Sequence, residues 1–522
     1  MQFDVLIQGG ELIDGTGQAR RRADVGIMGE QIAAMGDLSA ASAATVIHAH
    51  GKIVAPGFID VHNHADGWLL RRPHLPAKTL QGFTTEVIMS DGISYAPVDE
   101  HTWSQWFYYL RSLNALRQDE YTGWKTLAEY QAVLDRRNVQ NNMLQVPYGN
   151  LRALVCGFGR QTIDDLQRKL IQAEVRRGME TGAAGLSTGL DYLCQIYATT
   201  EELIAACSVL PQYDGLYVTH IRYKAGIIAG LEEAIEIGRR SGARVHISHL
   251  KSPRPEQSEP ILKLLEQARQ ELSLSFDCYP YLPGSTMLNS LLPYEVWEDG
   301  PLAAVDKLRD PVIRSRFRRA LSDYRLPLDK LHIAWVPSKE NACHQGKLLS
   351  DYVAEMGVPC EEALLNLLIE ERLAVLLVFH EGDDEWCYPF LQHDLCIIGT
   401  DGIYHDDAAV HPRVYGSSAR ILGPMVRDLK LFSLETAVRK LSGFAAERFR
   451  IPRRGILRER NFADVVVFDA QTVCDRATLF DSQHVSVGIE QVIVNGRPIV
   501  RDGVPLEIPL DQLPGRSLVC GE

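Results

Sequence analysis

The feature that most restricts the fold of this chain is an alternation of short apolar runs and helix-like segments between about residues 54 and 448. Apolar runs at 216–219 and 243–247, for example, lie on either side of a helical pattern at 230–237. Strands that alternate with helices favour an α/β fold with a parallel sheet closed by helices. Because the segment exceeds the ~250 residues typical of a (β/α)8 barrel, we expect an inserted subdomain at about 288–373, where Pro, Asp and Arg are frequent.

The two ends of the chain have a different pattern. Short strand-like runs with turns occupy residues 1–54, and similar runs at 463–469 and 491–494 are followed by Asn495-Gly496. Asn-Gly between apolar runs is a strong hairpin signal, because both turn residues must tolerate a positive φ. We therefore predict one β unit built from residues 1–54 and 449–522, and a barrel over residues 55–448.

Composition restricts the partners and the compartment. The 522 residues include 54 Lys+Arg and 67 Asp+Glu, which gives a formal net charge of −13. The sequence has no basic stripe that would attract a phosphate backbone, so we expect no nucleic-acid partner. No run approaches the ~18 apolar residues of a membrane helix, and the start lacks a signal-peptide pattern, so we expect no membrane partner. The ten cysteines form no Cys-x-x-Cys pair, which is typical of reduced thiols, and we expect a cytoplasmic protein.

The strongest local signal for chemistry is the pair His62 and His64, at the end of an apolar run. Residues i and i+2 of a strand point to the same face, so the two imidazoles converge on one point. Such a pair can hold a metal such as Zn²⁺. It also occurs as two hydrogen-bonded histidines without a metal, so further ligands are needed to decide between the two interpretations.

Three later apolar runs end in His220, His249 and Asp401. A barrel brings the C-terminal ends of all its strands to one rim, so residues far apart in sequence meet there. Four histidines and an aspartate at such positions predict one metal centre.

Strand alternation also assigns the neighbours of His249. It places His249 on the same face as Val245 and Ile247, and His246 on the opposite face. We therefore expect His246 to pack against the outer helices.

With these residues the sequence resembles the amidohydrolase superfamily, and within it the N-acyl-D-amino-acid deacylases, over almost the whole chain. The motifs that carry the resemblance are those at 9–17, 55–64, 81–85, 185–190, 219–222, 248–251, 279–286, 400–402 and 411–416. The resemblance implies a TIM-like (β/α)8 barrel, a small β-sandwich formed from both chain ends, and metal-dependent hydrolysis of the amide bond of an N-acyl-D-amino acid.

The ligands of that family are a His-x-His pair, a cysteine, two later histidines and an aspartate. Five of these six positions match, at His62, His64, His220, His249 and Asp401. At the cysteine position this chain has Asp91, and where the family has another histidine it has Tyr148. A carboxylate can bind one metal or bridge two, but oxygen is a harder ligand than thiolate. We expect one or two divalent ions, Zn²⁺ first, with Mn²⁺ or a similar ion as the alternative that Asp91 favours.

The remaining roles also come from chemistry and from the resemblance. We expect Asp401 to act as general base and then as general acid, with a purely structural carboxylate as the alternative. The family match indicates Tyr192, Lys251, Tyr281 and Arg413 as residues that bind the small-molecule N-acyl amino acid. Arginine presents a planar fork that fits a carboxylate. The alternative is that Arg413 and Lys251 are charges at the rim of the barrel and do not bind the substrate.

Two other functions stay open at this point. One is hydrolysis of cyclic amides such as hydantoins or dihydropyrimidines, where superfamily members use a carboxylated lysine as a bridge. No lysine occurs at 144–155 or 184–188, so Asp91 is the candidate for that role. The other is a non-catalytic, metal-free homologue, which the departures at Asp91 and Tyr148 suggest. The sequence is compatible with a homo-oligomer.

Overall fold

Eight parallel strands form the centre of the molecule in the computed structural model, which describes residues 2–324, 326–380 and 382–521. Each of these strands pairs in parallel with its neighbour in chain order. Asp401 N–H donates to His62 O at 2.7 Å and a parallel bridge joins Asn63 to Gly402, so the last strand closes on the first. In chain order the strands are Phe58–Asp60, Phe83–Ile88, Asn141–Leu144 continued by Val146–Pro147, Gly185–Gly189, Leu216–His220, Arg244–Ile247, Leu274–Cys278 and Cys396–Ile398.

Part of the interior of this cylinder is an apolar cluster. Alternate strand residues point inward and pack together with the helix Gly443–Phe449, which lies at the end of the cylinder away from the strand C-termini. The members of this cluster include Ile59, Val61, Val87, Met143, Leu216, Val218, Ile397 and Phe449. These packed side chains fill the inside of the barrel, so a site can form only at the strand ends.

Helices cover the outside of the cylinder. Two of them illustrate why the sequence forms them: Asp165–Glu180 begins at a capping box in which Asp164 accepts from the Gln167 N–H, and Ile227–Ser241 ends at Gly242, whose φ of 74° is left-handed. The helices of the barrel region are Trp68–Arg71, Pro76–Thr79, Trp103–Tyr109, Leu127–Leu134, Tyr148–Cys156, Asp165–Glu180, Thr200–Cys207, Ile227–Ser241, Ser258–Ala268, Tyr388–Gln392, Arg413–Arg420, Leu434–Leu441 and Gly443–Phe449, with a π-helical segment at Ile421–Asp428. Among the described residues, no helix combines the length and the apolar character that crossing a membrane requires.

A buried ion cluster ties the first two barrel strands to a helix. The Lys78 ammonium, on Pro76–Thr79, contacts Asp60 of the first strand and lies 2.9 Å from Glu86 of the second. All three side chains have no exposed surface. Asp60 also accepts from the Thr400 hydroxyl at 2.6 Å, so the same cluster fixes the chain just before Asp401.

The chain between the seventh and eighth strands forms a separate layer. Its three strands, Ser285–Met287, Leu331–Trp335 and Leu376–Phe379, make an antiparallel sheet. The helices Pro301–Lys307, Pro311–Tyr324, Leu349–Met356 and Cys360–Glu370 lie between them in sequence. The segment covers the expected insertion and begins and ends a few residues outside it.

Two further sheets lie outside the barrel, one built from the N-terminal part of the chain and one built from both chain ends. The first holds Gln2–Gln8, Asp24–Met28, Gln31–Gly36 and Ser42–His48; the second holds Glu11–Leu12, Arg21–Arg22, Ile53–Pro56, Val465–Phe468, Ile489–Val494, Arg497–Arg501 and Val504–Pro505. The last strand, Ser517–Leu518, pairs instead with Asn141–Leu144 of the barrel. A two-residue strand has no periodicity, so the sequence does not reveal this pairing.

Candidate active site

All six expected ligands lie at the C-terminal ends of barrel strands, and the structure brings them together. His64 Nε2 lies 3.2 Å from Asp401 Oδ1. The Asp91 carboxylate lies between the histidines, with Oδ1 3.5 Å from His62 Nε2 and 3.8 Å from His249 Nε2. His220 Nδ1 is 3.0 Å from His249 Nε2.

Three of these residues have a left-handed backbone. The φ angles are 58° at Asp91, 38° at His249 and 49° at Asp401. Such conformations cost non-glycine residues on the order of 1–3 kcal/mol and are concentrated at functional sites. Each occurs just after a barrel strand ends, where it turns the side chain back over the strand ends.

The donor set fits a pair of divalent metals. Two groups of three side chains have ligand atoms within 4.8 Å of one another, His62 with His64 and Asp91, and Asp91 with His220 and His249. Asp91 belongs to both groups, as expected of a bridging carboxylate. His62 Nε2 and Asp91 Oδ1 are buried and have no hydrogen-bond partner within the described part of the chain, and buried polar atoms of this kind require a partner. Imidazole and carboxylate are ligands of Zn²⁺.

The electrostatics of the centre also favour a cation. Burial lowers the pKa of His62, but the carboxylates of Asp277, Asp91 and Asp401 outweigh it and raise this pKa to about 10. Burial raises the pKa of Asp401, but Arg413 and the histidines hold it well below its usual value of 3.8. Carboxylates kept ionised in a buried site create the negative potential that a metal ion neutralises.

The outer nitrogen of three of these histidines faces a polar side chain. His220 Nε2 lies 3.3 Å from Asp191 Oδ2, and His249 Nδ1 lies 3.3 Å from the Tyr223 hydroxyl. His62 Nδ1 lies 3.5 Å from Asp277 Oδ2. Partners of this kind orient metal-binding imidazoles.

Sequence reasoning missed these three partners. Asp277 had a usable signal, since it lies near the end of an apolar strand, as the expected ligands do. Asp191 lies two residues and Tyr223 three residues after its strand, the same spacing as His249 and Asp401, and nothing else in the sequence marked them as partners of the ligands.

The expectation for His246 is wrong. His246 pairs in register with Val218, an interior residue, and its ring lies 5.1 Å from the ring of Phe449. Val245 and Ile247 are the residues that face the outer helices. The alternation of the strand ends at Ile247, and the left-handed backbone of His249 then returns that side chain to the centre.

A cavity of about 680 Å³ opens beside the candidate centre. Tyr192, Lys251 and Arg413 line it, as do His220, His249 and Asp401. Arg413 is fully buried, with Nη1 2.7 Å from Asp401 Oδ2. The expected substrate-binding residue therefore also contacts the expected base.

Lys251 is held by the wall of this cavity. Its ammonium donates to the Tyr279 hydroxyl at 2.5 Å, to Pro283 O at 2.9 Å and to Tyr281 O at 3.3 Å. Burial lowers the pKa of Lys251 to about 8.

Two tyrosines singled out in the sequence are not among the residues that line the cavity. The Tyr281 side chain does not line the cavity, because its hydroxyl donates to Asp475 at 3.1 Å, and Tyr279 takes its place. The strand ends at Cys278, and the family match that indicated Tyr281 does not give side-chain direction in the irregular segment that follows. Tyr148, the other departure, is fully buried and its hydroxyl hydrogen-bonds Glu202 outside the centre.

Taken together, a closed parallel barrel whose strand ends carry these histidines and aspartates defines a hydrolase of the amidohydrolase class. Comparison with known proteins agrees with this assignment. A model described as the amidohydrolase family matches residues 45–274. The chain is 36% identical to a D-aminoacylase of Alcaligenes xylosoxydans xylosoxydans, over 95% of this chain and 94% of that protein.

Solved structures give the same answer. A crystal structure of a D-aminoacylase aligns with a TM-score of 0.82 at 33% identity, covering 99% of this chain and 100% of the other. An N-acyl-D-glutamate deacylase from Bordetella bronchiseptica, complexed with zinc and a phosphonate inhibitor, aligns with a TM-score of 0.84 at 32% identity over 100% of both chains. The chain belongs to the amidohydrolase superfamily, in the family of the D-aminoacylases, and the barrel expected from the sequence is confirmed at that level.

Proposed function

We propose that this protein hydrolyses the amide bond of N-acyl-D-amino acids at the metal centre described above. The observation that carries the proposal is the position of Asp401, which lines the cavity and contacts both His64 of the candidate centre and Arg413 of the cavity wall. The relatives with this function are similar over nearly the whole chain.

The residues that we propose would hold the metal are His62, His64, Asp91, His220, His249 and Asp401; Asp91 belongs to both groups of candidate ligands. Zn²⁺ is the ion we expect first, because it is named in the related deacylase structure and suits imidazole and carboxylate. A divalent metal held there supplies a Lewis acid and lowers the pKa of water from 15.7 to about 7.

Asp401 is the proposed acid–base residue. Its carboxylate accepts the proton of the attacking water and then delivers it to the departing amine nitrogen. Arg413 keeps this carboxylate ionised between turnovers, because the guanidinium is itself fully buried against it.

The substrate carboxylate binds, in this proposal, beside Arg413 and Tyr279. Because Lys251 donates to the Tyr279 oxygen, the phenolic proton remains free to be donated to a bound carboxylate. The Lys251 ammonium adds positive charge behind this contact.

The rest of the cavity favours an apolar substrate group. Beyond the cations its wall consists largely of apolar side chains, namely Ile227, Pro253, Leu282, Leu291, Leu292, Pro293, Leu321 and Phe379. The remaining lysine of the lining, Lys224, donates to Ser290 O at 2.9 Å. We therefore propose N-acyl derivatives of apolar D-amino acids rather than of D-glutamate or D-aspartate, since a second buried carboxylate needs its own cation.

We extend the proposal to the organisation of the chain. Residues 1–54 and 449–522 form a composite β-sandwich, and residues 55–448 form the catalytic barrel with an insertion at about 288–373; the seven-stranded sheet, which joins strands from both chain ends, supports this division. All ten cysteines are free, which supports the cytoplasm as its location.

The test is a metal analysis of the purified protein together with a panel of N-acetyl-D-, N-acetyl-L- and cyclic substrates. We expect bound Zn²⁺ and turnover of N-acetyl-D-leucine well above that of N-acetyl-L-leucine or hydantoin. Turnover of hydantoin alone would favour the cyclic-amide alternative. Absence of both metal and turnover would favour a non-catalytic protein.

A further inference from the structure

A chain of buried polar side chains lies beneath the candidate metal centre and has no part in the proposed reaction. Arg448 Nε donates to Ser275 Oγ at 2.9 Å, and Ser275 Oγ lies 2.7 Å from His246 Nδ1. His246 Nε2 lies 3.0 Å from Asp277 Oδ2, which is 3.5 Å from His62 Nδ1. Arg448 is 6% exposed, and the other members have no exposed surface.

The direction of the hydrogen bonds in this chain follows from its carboxylate. Asp277 only accepts, so His246 donates to it from Nε2. Burial lowers the pKa of His246, so the ring is neutral, and its Nδ1 accepts from the Ser275 hydroxyl, whose oxygen accepts from Arg448. The same carboxylate faces His62 Nδ1 at 3.5 Å and favours a proton on that nitrogen.

The consequence at His62 is a defined tautomer. With the proton on Nδ1, the lone pair of His62 is on Nε2, the atom 3.5 Å from Asp91 Oδ1. An imidazole binds a metal through the nitrogen that has the lone pair. Asp277 thus favours a proton on the outer nitrogen, so Nε2 is the nitrogen that would give up its proton to a metal.

The same carboxylate holds a second proposed ligand. Asp277 Oδ1 accepts from the backbone N–H of His249 at 2.9 Å, beside the left-handed backbone of that residue. One buried carboxylate therefore fixes the ring of His62 and the backbone of His249.

We propose that His246 and Asp277 are positioning residues that set the tautomer of His62 and so raise the affinity of the centre for its metal. This inference rests on the proposed metal centre. Loss of a partner behind a metal-binding histidine typically lowers metal affinity about 10- to 100-fold. We expect that range for Asp277→Asn, and a loss near its lower end for His246→Phe, which keeps the ring against Phe449 but donates nothing to Asp277.

The experiment measures the Zn²⁺ affinity of metal-free full-length protein by competition with a chelator, and the thermal midpoint of the same metal-free protein. In Asp277→Asn the amide donates toward both rings, favours the opposite tautomers, and should cause a loss at least as large as that of His246→Phe. His246→Gln places an amide N–H near the position of Nε2 and should recover most of the affinity. Ser275→Ala should cause a smaller loss of Zn²⁺ affinity. It replaces the other variants in the test if they fail to fold.

His344→Phe is the matched control. It makes the same exchange at a histidine that is 6% exposed and contacts Lys347 and Glu355 in the inserted layer, and it should leave Zn²⁺ affinity unchanged. Unchanged affinity in His246→Phe, or equal affinity in His246→Phe and His246→Gln, would overturn the proposal, even if the thermal midpoints fall. A wild-type protein that binds Zn²⁺ but hydrolyses no N-acyl-D-amino acid would refute the proposed function and leave this inference standing, whereas one that takes up no Zn²⁺ would overturn both.

Discussion

Replacing Lys251 with methionine tests how the cavity binds a substrate carboxylate. All three N–H donors of the ammonium are used within the protein, so its contribution is its charge and the orientation of Tyr279. The Lys251–Tyr279 distance is 2.5 Å, and a hydrogen bond from Tyr279 adds about 2.7 Å, which places a bound carboxylate about 5 Å from the ammonium. Unit charges at that distance interact by about 3 kcal/mol at an effective dielectric constant of 20, so kcat/KM should fall roughly 100-fold.

The pKa of Lys251 also predicts how kcat/KM changes with pH. Burial places the pKa of Lys251 at about 8 instead of 10.5, so the cation is present below pH 8 and is lost as the pH rises through it. Wild-type kcat/KM, which reports the free enzyme, should therefore decline above pH 8 for N-acetyl-D-leucine. In Lys251→Met that decline should be absent.

The assay compares N-acetyl-D-leucine with the neutral N-acetyl-D-leucinamide between pH 6 and 10. Lys224→Met is the control, because Lys224 lines the same cavity but donates to Ser290 O, and it should behave as the wild type. Equal losses of kcat/KM for the acid and the amide in Lys251→Met would refute the electrostatic reasoning. An alkaline decline that persists in that variant would show that another group titrates.

Three further changes test the centre and the fold. Asp401→Asn should keep bound metal but lower kcat about 10²- to 10⁴-fold, the usual contribution of a general base; near-full turnover would remove its role. Asp91→Ala should reduce the metal content of the purified protein, and equal metal content in this variant and the wild type would exclude a bridging role. Asp91→Cys should keep metal and shift the metal preference from Mn²⁺ toward Zn²⁺, because thiolate is a softer ligand than carboxylate. Lys78→Met leaves Asp60 and Glu86 buried without their cation and should lower the free energy of unfolding by about 3–5 kcal/mol, measured by urea denaturation; a change below about 1 kcal/mol would contradict this, as for an exposed ion pair.

The features readable from the sequence were those that repeat or that share one geometry. Alternating apolar runs and helical patterns predict the barrel, since each strand and helix buries one face against the next. His62, His220 and Asp401 were found because each lies at or near the end of an apolar run, and a barrel gathers those ends. The resemblance then supplied Asp91, which follows no histidine or cysteine pattern.

The residues that were misplaced depend on where a strand stops. Val245, His246 and Ile247 alternate as expected, but only the pairing of His246 with Val218 shows which face is interior. Tyr281, which the family match indicated, was misassigned because a motif match does not give side-chain direction in the irregular segment after the strand that ends at Cys278. Local alternation gives relative faces, whereas the absolute face depends on contacts between distant strands.

The same argument explains why the expectation for His249 reached the correct site by an incorrect route. Alternation assigned it to the face of Val245, which the structure turns toward the outer helices. The left-handed backbone at φ 38° reverses the direction of the side chain, and the Asp277 carboxylate holds the reversed N–H. A left-handed φ at a non-glycine residue is disfavoured by local sterics, so no local sequence pattern predicts it. It persists because a tertiary contact stabilises it, and the same contact orients His62. At this centre, therefore, the side-chain direction of His249 is hard to predict from the sequence, because it depends on a backbone conformation that Asp277, behind the ligands, holds in place.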